Sequence, residues 1–303
     1  MQYTVVAIKI FLGLCVFLFG VYFMNDALKG MATEKVKRLM ARVSRSVLVN
    51  IFIGFAITAL SGSSSGVIIM LISFIDAGVI DFGQAAAIIM GSNIGSTITV
   101  NIISFNAFYY TVYLVPIGVL GYILSRNSKL RCISQFVAGI GLLFYGIDYM
   151  SDSMMPLREN LNFVGMMQGI DDSPFKGLLI GIALVTIIQS STVGIAMLQS
   201  LARADMISAF GAAPIVFGQN ISTCFDTLIA AVITKNKSAK NAAYFHLLFN
   251  VFGTVIFMML LNPLVDLSKA IGGNDPARQI AVIHTLFNVG TTLIILPFIK
   301  YIV

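Results

Sequence analysis

The sequence predicts an all-α polytopic membrane protein built from two inverted-topology repeats, each with a re-entrant helical hairpin broken at a serine-rich motif. Three observations lead there. The composition is that of a chain dissolved in lipid. Two apolar stretches are interrupted midway by small hydroxyl residues. The chain also repeats itself at a nearly constant offset, while the loop charges after equivalent segments change sign.

The chain of 303 residues is 58% hydrophobic and only 11% charged, with a mean hydropathy of +0.93. A soluble domain carries about 25% charged residues, so lipid is the main solvent. A spanning helix needs roughly 20 apolar residues, which allows about seven to nine crossings. Spans must satisfy their own backbone, as helices or as a closed barrel. Long runs of Leu, Ile, Ala and Met without alternation select helices. The net charge of +6 lies in short loops and reads as a topology signal rather than a nucleic-acid surface. Cys15, Cys132 and Cys224 have no metal spacing and read as small apolar fillers. The first segment has no basic leader region or cleavage site and reads as a retained span.

In order along the chain, spans are expected near 4–28, 84–105, 108–125, 132–150, 208–234, 241–262 and 279–301. The stretches 47–78 and 176–204 differ, because each is split into halves too short to cross a bilayer. Both are expected to be re-entrant hairpins of two half-helices. This divides the chain into repeat 1 at 1–131, repeat 2 at 132–262 and an extra C-terminal span at 263–303.

Loop charges set the orientation. The segment 29–46 holds Lys29, Lys35, Lys37, Arg38, Arg42 and Arg45 against Glu34 alone. Arg126, Lys129 and Arg131 crowd the next basic loop, and Lys235, Lys237 and Lys240 a third. The positive-inside rule makes all three cytoplasmic. The loop 151–175, with Asp152, Glu159, Asp171 and Asp172 against Arg158, suits the outside. Seven crossings then put the N-terminus outside and the C-terminus inside a cytoplasmic, or inner, cell membrane. The segment 29–46 also carries Met31, Val36, Leu39, Met40 and Val43. It reads as a cytoplasmic linker helix, with a place on the anionic inner leaflet as the alternative.

The repeat is visible residue by residue. Gly13, Gly20, Met24 and Asp26 recur 126 positions on as Gly139, Gly146, Met150 and Asp152. Gly54 and Ala56 recur 127 positions on as Gly181 and Ala183, and Ser63-Ser64-Ser65 as Ser190-Ser191-Thr192. Gly91, Asn93 and Ile94 recur as Gly218, Asn220 and Ile221. An odd number of crossings per unit inverts the second copy. Inverted repeats with interrupted helices are the signature of secondary transporters.

A helix break at membrane depth frees backbone donors and acceptors, which is tolerated only where protein or a watery cavity satisfies them. A half-helix N-terminus suits an anion. Freed carbonyls and hydroxyls suit a hard cation such as Na+. The bland alternative is that small residues merely allow close helix packing. Asn93 and Asn220 each follow their break by 29 residues, counted from Ser64 and Ser191. Their amides need partners in lipid and should face the protein interior, able to ligate Na+ through oxygen or donate to an anion. Asp226 is the most clearly intramembrane acid and a candidate additional cation ligand, and Thr99 is its neutral counterpart. His246 with Asn250 and His284 with Asn288 share helix faces at i, i+4 and read first as interhelix hydrogen-bonding groups.

The two serine-rich motifs, each followed by a Gly-x-Asn-Ile motif, resemble the type II sodium/phosphate cotransporter family over roughly residues 5–300. The resemblance implies Na+-driven uptake of inorganic phosphate by alternating access, with Na+ as coupling ion and no other cofactor. It points to Ser63, Ser64, Ser65, Asn93, Gln189, Ser190, Ser191, Thr192 and Asn220 as the site, joined by Thr97 and Thr223 of the asparagine motifs. Gly62 departs from the family pattern, which has glutamine there. The expected partners are phosphate, Na+ and the lipid bilayer, not nucleic acid, with a homodimer left open. Two other functions compete. One is a channel or symporter for another small oxyanion. The other is an intramembrane serine hydrolase, since Gly62-Ser63-Ser64-Ser65-Gly66 fits Gly-x-Ser-x-Gly and His246 or His284 would be its base.

Overall fold

The computed structural model describes residues 2–40, 42–105 and 108–302, and every element among them is helical. In order, these are α1 (Gln2–Met40), α2 (Val47–Ser61), α3 (Ser64–Asp76), α4 (Phe82–Ser104), α5 (Phe108–Leu124), α6 (Ser128–Met154), a 3-10 turn (Met155–Glu159) and α7 (Leu161–Asp171). Then follow α8 (Pro174–Ile188), α9 (Ser191–Arg203), α10 (Ala209–Ile233), α11 (Lys237–Met259), α12 (Leu261–Gly272), α13 (Pro276–Ile295), a second 3-10 turn (Leu296–Phe298) and α14 (Ile299–Ile302).

Among the described residues, six stretches of helix are long and apolar enough to cross a membrane: 4–28, 82–104, 128–157, 209–233, 237–259 and 276–302. The protein is therefore an all-α polytopic membrane protein. The expected span at 108–125 is α5, only 17 residues with Pro116 inside it. At 1.5 Å per residue it is about 25 Å long, short of the roughly 30 Å hydrocarbon core. Two further departures are additions: the acidic loop contains α7, and α12 precedes the last span. The expected linker helix is the continuation of α1 to Met40. Residues 261–272 were expected to be the end of a span and a connection. Asp266 and Lys269 instead lie on an amphipathic helix whose Leu264 and Val265 pack into the core. The expected roles of the Lys29, Met31, Glu34, Lys35, Val36, Lys37 and Arg158 side chains lie outside the described residues.

Glycine sets the spacing of the helix pairs. α1 and α6 lie antiparallel. A Cβ on Gly13 would sit 3.1 Å from the Gly146 carbonyl, and one on Gly20 2.8 Å from that of Gly139. Gly13 is equivalent to Gly139, and Gly20 to Gly146. Each glycine thus meets the counterpart of the other, the reciprocal pattern a two-fold axis produces. α2 runs parallel to α4, with Gly54 against Ile88 and Gly91 against Ile51. α8 runs parallel to α10 in the same way, with Gly181 against Ile215 and Gly218 against Leu178. The partners again match at the offset of 127 seen in the sequence.

The far ends of α3 and α9 are anchored at equivalent positions, Asp76 and Arg203, by different chemistry. Thr234 Oγ1 donates to Asp76, and Asn236 Nδ2 donates to the Ile75 carbonyl. Arg203 donates to the Ser104 carbonyl at 3.2 Å and pairs with Asp148 at 3.6 Å. Asp148 is thereby a partly buried partner of α9.

Candidate functional site

Both interruptions are short changes of backbone direction. α2 ends where Gly62 turns left-handed (φ 69°), its N–H donating to the Thr58 carbonyl at 2.8 Å. Ser63 returns to extended backbone and caps α3, its Oγ accepting from the Gly66 N–H at 3.1 Å. The second interruption repeats this. Gln189 is left-handed (φ 56°) with its N–H on the Val185 carbonyl at 2.7 Å, and Ser190 caps α9 by accepting from the Val193 N–H at 3.4 Å. Left-handed backbone is ordinary for glycine and uncommon for glutamine.

The two interruptions meet across one cavity of about 210 Å³. Its walls include Ser63, Ser64 and Ser65 from the first, and Gln189, Ser190, Ser191 and Thr192 from the second. Thr223 and Asp226 of α10 complete the expected members. Two 13-residue helices, α3 and α9, therefore begin at the same space. Their free N–H groups and dipoles give it an anion-attracting end, and the half-buried Asp226 carboxylate supplies the opposite charge. Ser65 Oγ donates to the Thr223 carbonyl at 3.4 Å and links the first interruption to α10. The hydroxyls of Ser64, Ser191 and Thr192 make no hydrogen bond among the described residues.

Asn93, Thr97 and Asn220 do not line this cavity. Asn93 and Asn220 are buried and donate to carbonyls one turn back in their own helices, Ile89 at 2.9 Å and Val216 at 2.8 Å. Thr97 donates to the Ile94 carbonyl. Asn220 Oδ1 faces His284 Nε2 at 3.3 Å. On α10 the separation is one of faces. Ser222, Thr223, Asp226 and Ile229 follow helical spacing along the cavity side. Asn220, Cys224 and Thr227 follow it along the side turned to α11 and α13, where Thr227 meets His246 Nδ1 at 3.1 Å and Asn250 donates to Cys224 Sγ at 3.3 Å. His246, Asn250 and His284 are thus interhelix hydrogen-bonding groups, whereas Asn288 donates to the His284 carbonyl of its own helix, and Cys224 is a member of that network as well as a filler.

Sequence reasoning missed Ser96, Thr186, Ser222 and Phe225 as wall residues. Thr186 and Ser222 bond each other at 2.9 Å. The available signal was their position beside residues already singled out. The hydrolase geometry is absent among the described residues: both histidines are fully buried, with Thr227 and Asn220 of α10 as their partners, and neither bonds a serine of the interruptions. A nucleophilic serine needs its base within hydrogen-bond reach.

A family model described as Na+/Pi-cotransporter matches residues 16–152 and 159–273. Among curated proteins, the chain is 31% identical over 245 residues to "Uncharacterized protein YqeW" of Bacillus subtilis, covering 81% of this chain and 79% of that protein. It is 22% identical over 214 residues to "Putative inorganic phosphate export protein YjbB" of Salmonella typhimurium, covering 71% of this chain and 39% of the relative. The Escherichia coli K12 protein of the same name is 22% identical over 213 residues, 70% of this chain and 39% of its own length. The chain thus spans about two fifths of the two YjbB proteins. No solved structure matches it.

Proposed function

The chain belongs to the Na+/Pi-cotransporter family, and on that premise we propose that it is a secondary transporter holding phosphate and Na+ together in the cavity between its two helix interruptions. Family membership makes it a Na+-coupled phosphate transporter rather than an enzyme. The site, the repeat topology and the direction of transport are the proposal.

The observation that carries the site is the meeting of two helix N-termini and one carboxylate in a single cavity lined by hydroxyls. Two N-termini suit a phosphate oxyanion. A carboxylate beside an anion site is repulsive unless a cation lies between them, so Asp226 favours Na+ as the bridging ion. Ser64, Ser191 and Thr192 have free hydroxyls for either ion. Asn93, Thr97 and Asn220 then act from behind the wall, holding α4 and α10 in position.

Support for re-entrant hairpins comes from the ends of the first interrupted segment. α2 runs parallel to α4, and Gln84 near the start of α4 donates to the Ser44 carbonyl just before α2. α3 must therefore return to the end from which α2 departed. Support for inversion comes from the reciprocal glycine contacts of α1 and α6 and from the change of loop charge. Units 1–131 and 132–262 form the pair, with 263–303 added. α5 counts as a seventh crossing, its shortfall met by local thinning of the bilayer. The N-terminus is then outside and the C-terminus inside.

Inward Na+ movement driving phosphate uptake by alternating access is the working direction. Outward phosphate movement is the second reading, favoured by the name of the YjbB relatives, which calls them phosphate export proteins. Proteoliposomes test the coupling on which the working direction depends. Radiolabelled phosphate should accumulate only with an imposed inward Na+ gradient, and radiolabelled Na+ should enter only with phosphate present. Flux of either ion that ignores the other would remove the coupled mechanism.

Asp226→Asn keeps the shape of the side chain and removes its charge. It is expected to raise the Na+ concentration for half-maximal flux about tenfold, the cost of one charge-assisted contact. A Na+ titration of phosphate flux reads this, and an unchanged curve would place the cation elsewhere.

A further inference from the structure

The two interruptions are not chemically equal. The second carries a side-chain amide, Gln189, on the cavity wall at the left-handed turn. The first has Gly62 at the equivalent turn. A glycine there leaves the first half without an amide of its own.

The space is nonetheless occupied. A Cβ built on Gly62 would lie 2.5 Å from Asn25 Oδ1, 3.0 Å from its Cγ and 3.2 Å from its Nδ2. Asn25 belongs to α1, and its carboxamide stands where a side chain at position 62 would begin. Its Oδ1 is buried and has no hydrogen-bond partner among the described residues. At the equivalent position of the second copy, 126 residues on, stands Ser151, whose hydroxyl is spent on the Ile147 carbonyl of its own helix. The exchange is reciprocal. One copy has its amide on the first span and glycine at the turn; the other has serine on the first span and its amide at the turn.

We propose that Asn25 supplies to the first interruption the amide that Gln189 supplies to the second, and that its free Oδ1, which stands behind Gly62 and not among the residues lining the cavity, is a ligand for the transported cation held at the turn itself. This rests on the transport reading above. An amide oxygen buried without a donor is a natural partner for a hard monovalent cation, because such ions take neutral oxygen ligands. The assignment also explains why position 62 is glycine. Besides turning left-handed, it must leave room for the carboxamide arriving from α1.

The test is a Na+ titration of phosphate flux in proteoliposomes for the wild type, Asn25→Ala, Asn25→Asp, Gly62→Gln and the double variant Asn25→Ala/Gly62→Gln. Asn25→Ala is expected to raise the Na+ concentration for half-maximal flux about tenfold or more, with the rate at saturating Na+ kept within about twofold. Asn25→Asp retains an oxygen at the same place and should keep the wild-type Na+ dependence or strengthen it. Gly62→Gln alone should be impaired, because its side chain overlaps Asn25. The double variant moves the amide to the position used in the second copy and should recover most of the lost Na+ affinity. An unchanged Na+ curve for Asn25→Ala overturns the assignment. So does a loss that Gly62→Gln fails to recover, or an equal loss in Asn25→Asp. A wild type whose flux ignores Na+ is a different failure, that of the transport reading itself.

Discussion

Ser64→Ala and Ser191→Ala are each expected to lower phosphate flux about 10- to 100-fold, the worth of a hydrogen bond to a charged group, while leaving the yield of folded protein unchanged. Both hydroxyls lie on the cavity wall in the first turn of a half-helix. Neither has a partner among the described residues, so removing it orphans no protein group. Their neighbours Ser63 and Ser190 are different, because both already accept from a backbone N–H of the helix they cap. Ser63→Ala and Ser190→Ala should therefore cost stability, about 1 kcal/mol each for a lost cap. Flux per folded molecule and thermal stability, measured side by side for the four variants, should separate into these two pairs. Wild-type flux from both Ser64→Ala and Ser191→Ala would show that the ions bind elsewhere.

Gly91→Ala and Gly218→Ala are expected to destabilise the protein by about 1–3 kcal/mol each, the usual cost of forcing atoms into a packed interior. A Cβ on Gly91 would overlap the Ile51 carbonyl, and one on Gly218 the Leu178 carbonyl. These are backbone atoms, so the contact can be relieved only by moving α2 from α4, or α8 from α10. Either movement displaces the interruption that α2 or α8 leads into, and flux should fall with stability. Gly165→Ala is the control, because nothing lies within 4 Å of a Cβ there. Thermal unfolding followed by monodispersity in detergent reads the effect. A stability for Gly91→Ala equal to that of the control would mean that the two helices are not held at glycine distance.

Much of this architecture is legible in the sequence. Gly62 and Gln189 mark the two turns because small or unusual residues followed by serines stand out within apolar runs. The 126–127 offset survives as matched helix contacts, since Gly54 and Gly181, or Gly91 and Gly218, are conspicuous against Leu, Ile and Val. The length of α5 was less legible. Hydropathy continues through 108–125, and it reports solubility in lipid, not whether a helix reaches both interfaces. The helix α12 was hidden for a related reason, because a short amphipathic helix with Pro263 near its start resembles the tail of a span.

By itself the sequence determined the solvent, the helical class, the two interruptions and the offset of 127 between them, because these follow from local composition and spacing. Only the tertiary structure decided which way each side chain faces. Asn220 and Asp226 are six residues apart on one helix, yet one turns to His284 and the other to the cavity. Their angular separation is fixed by the helix, but which face meets the cavity depends on how α10 is rotated against α8, α11 and α13. That rotation is set by glycine contacts between segments distant in sequence. Asn25 shows the same limit more strongly, since 37 positions separate it from Gly62 and only packing places its amide at the turn.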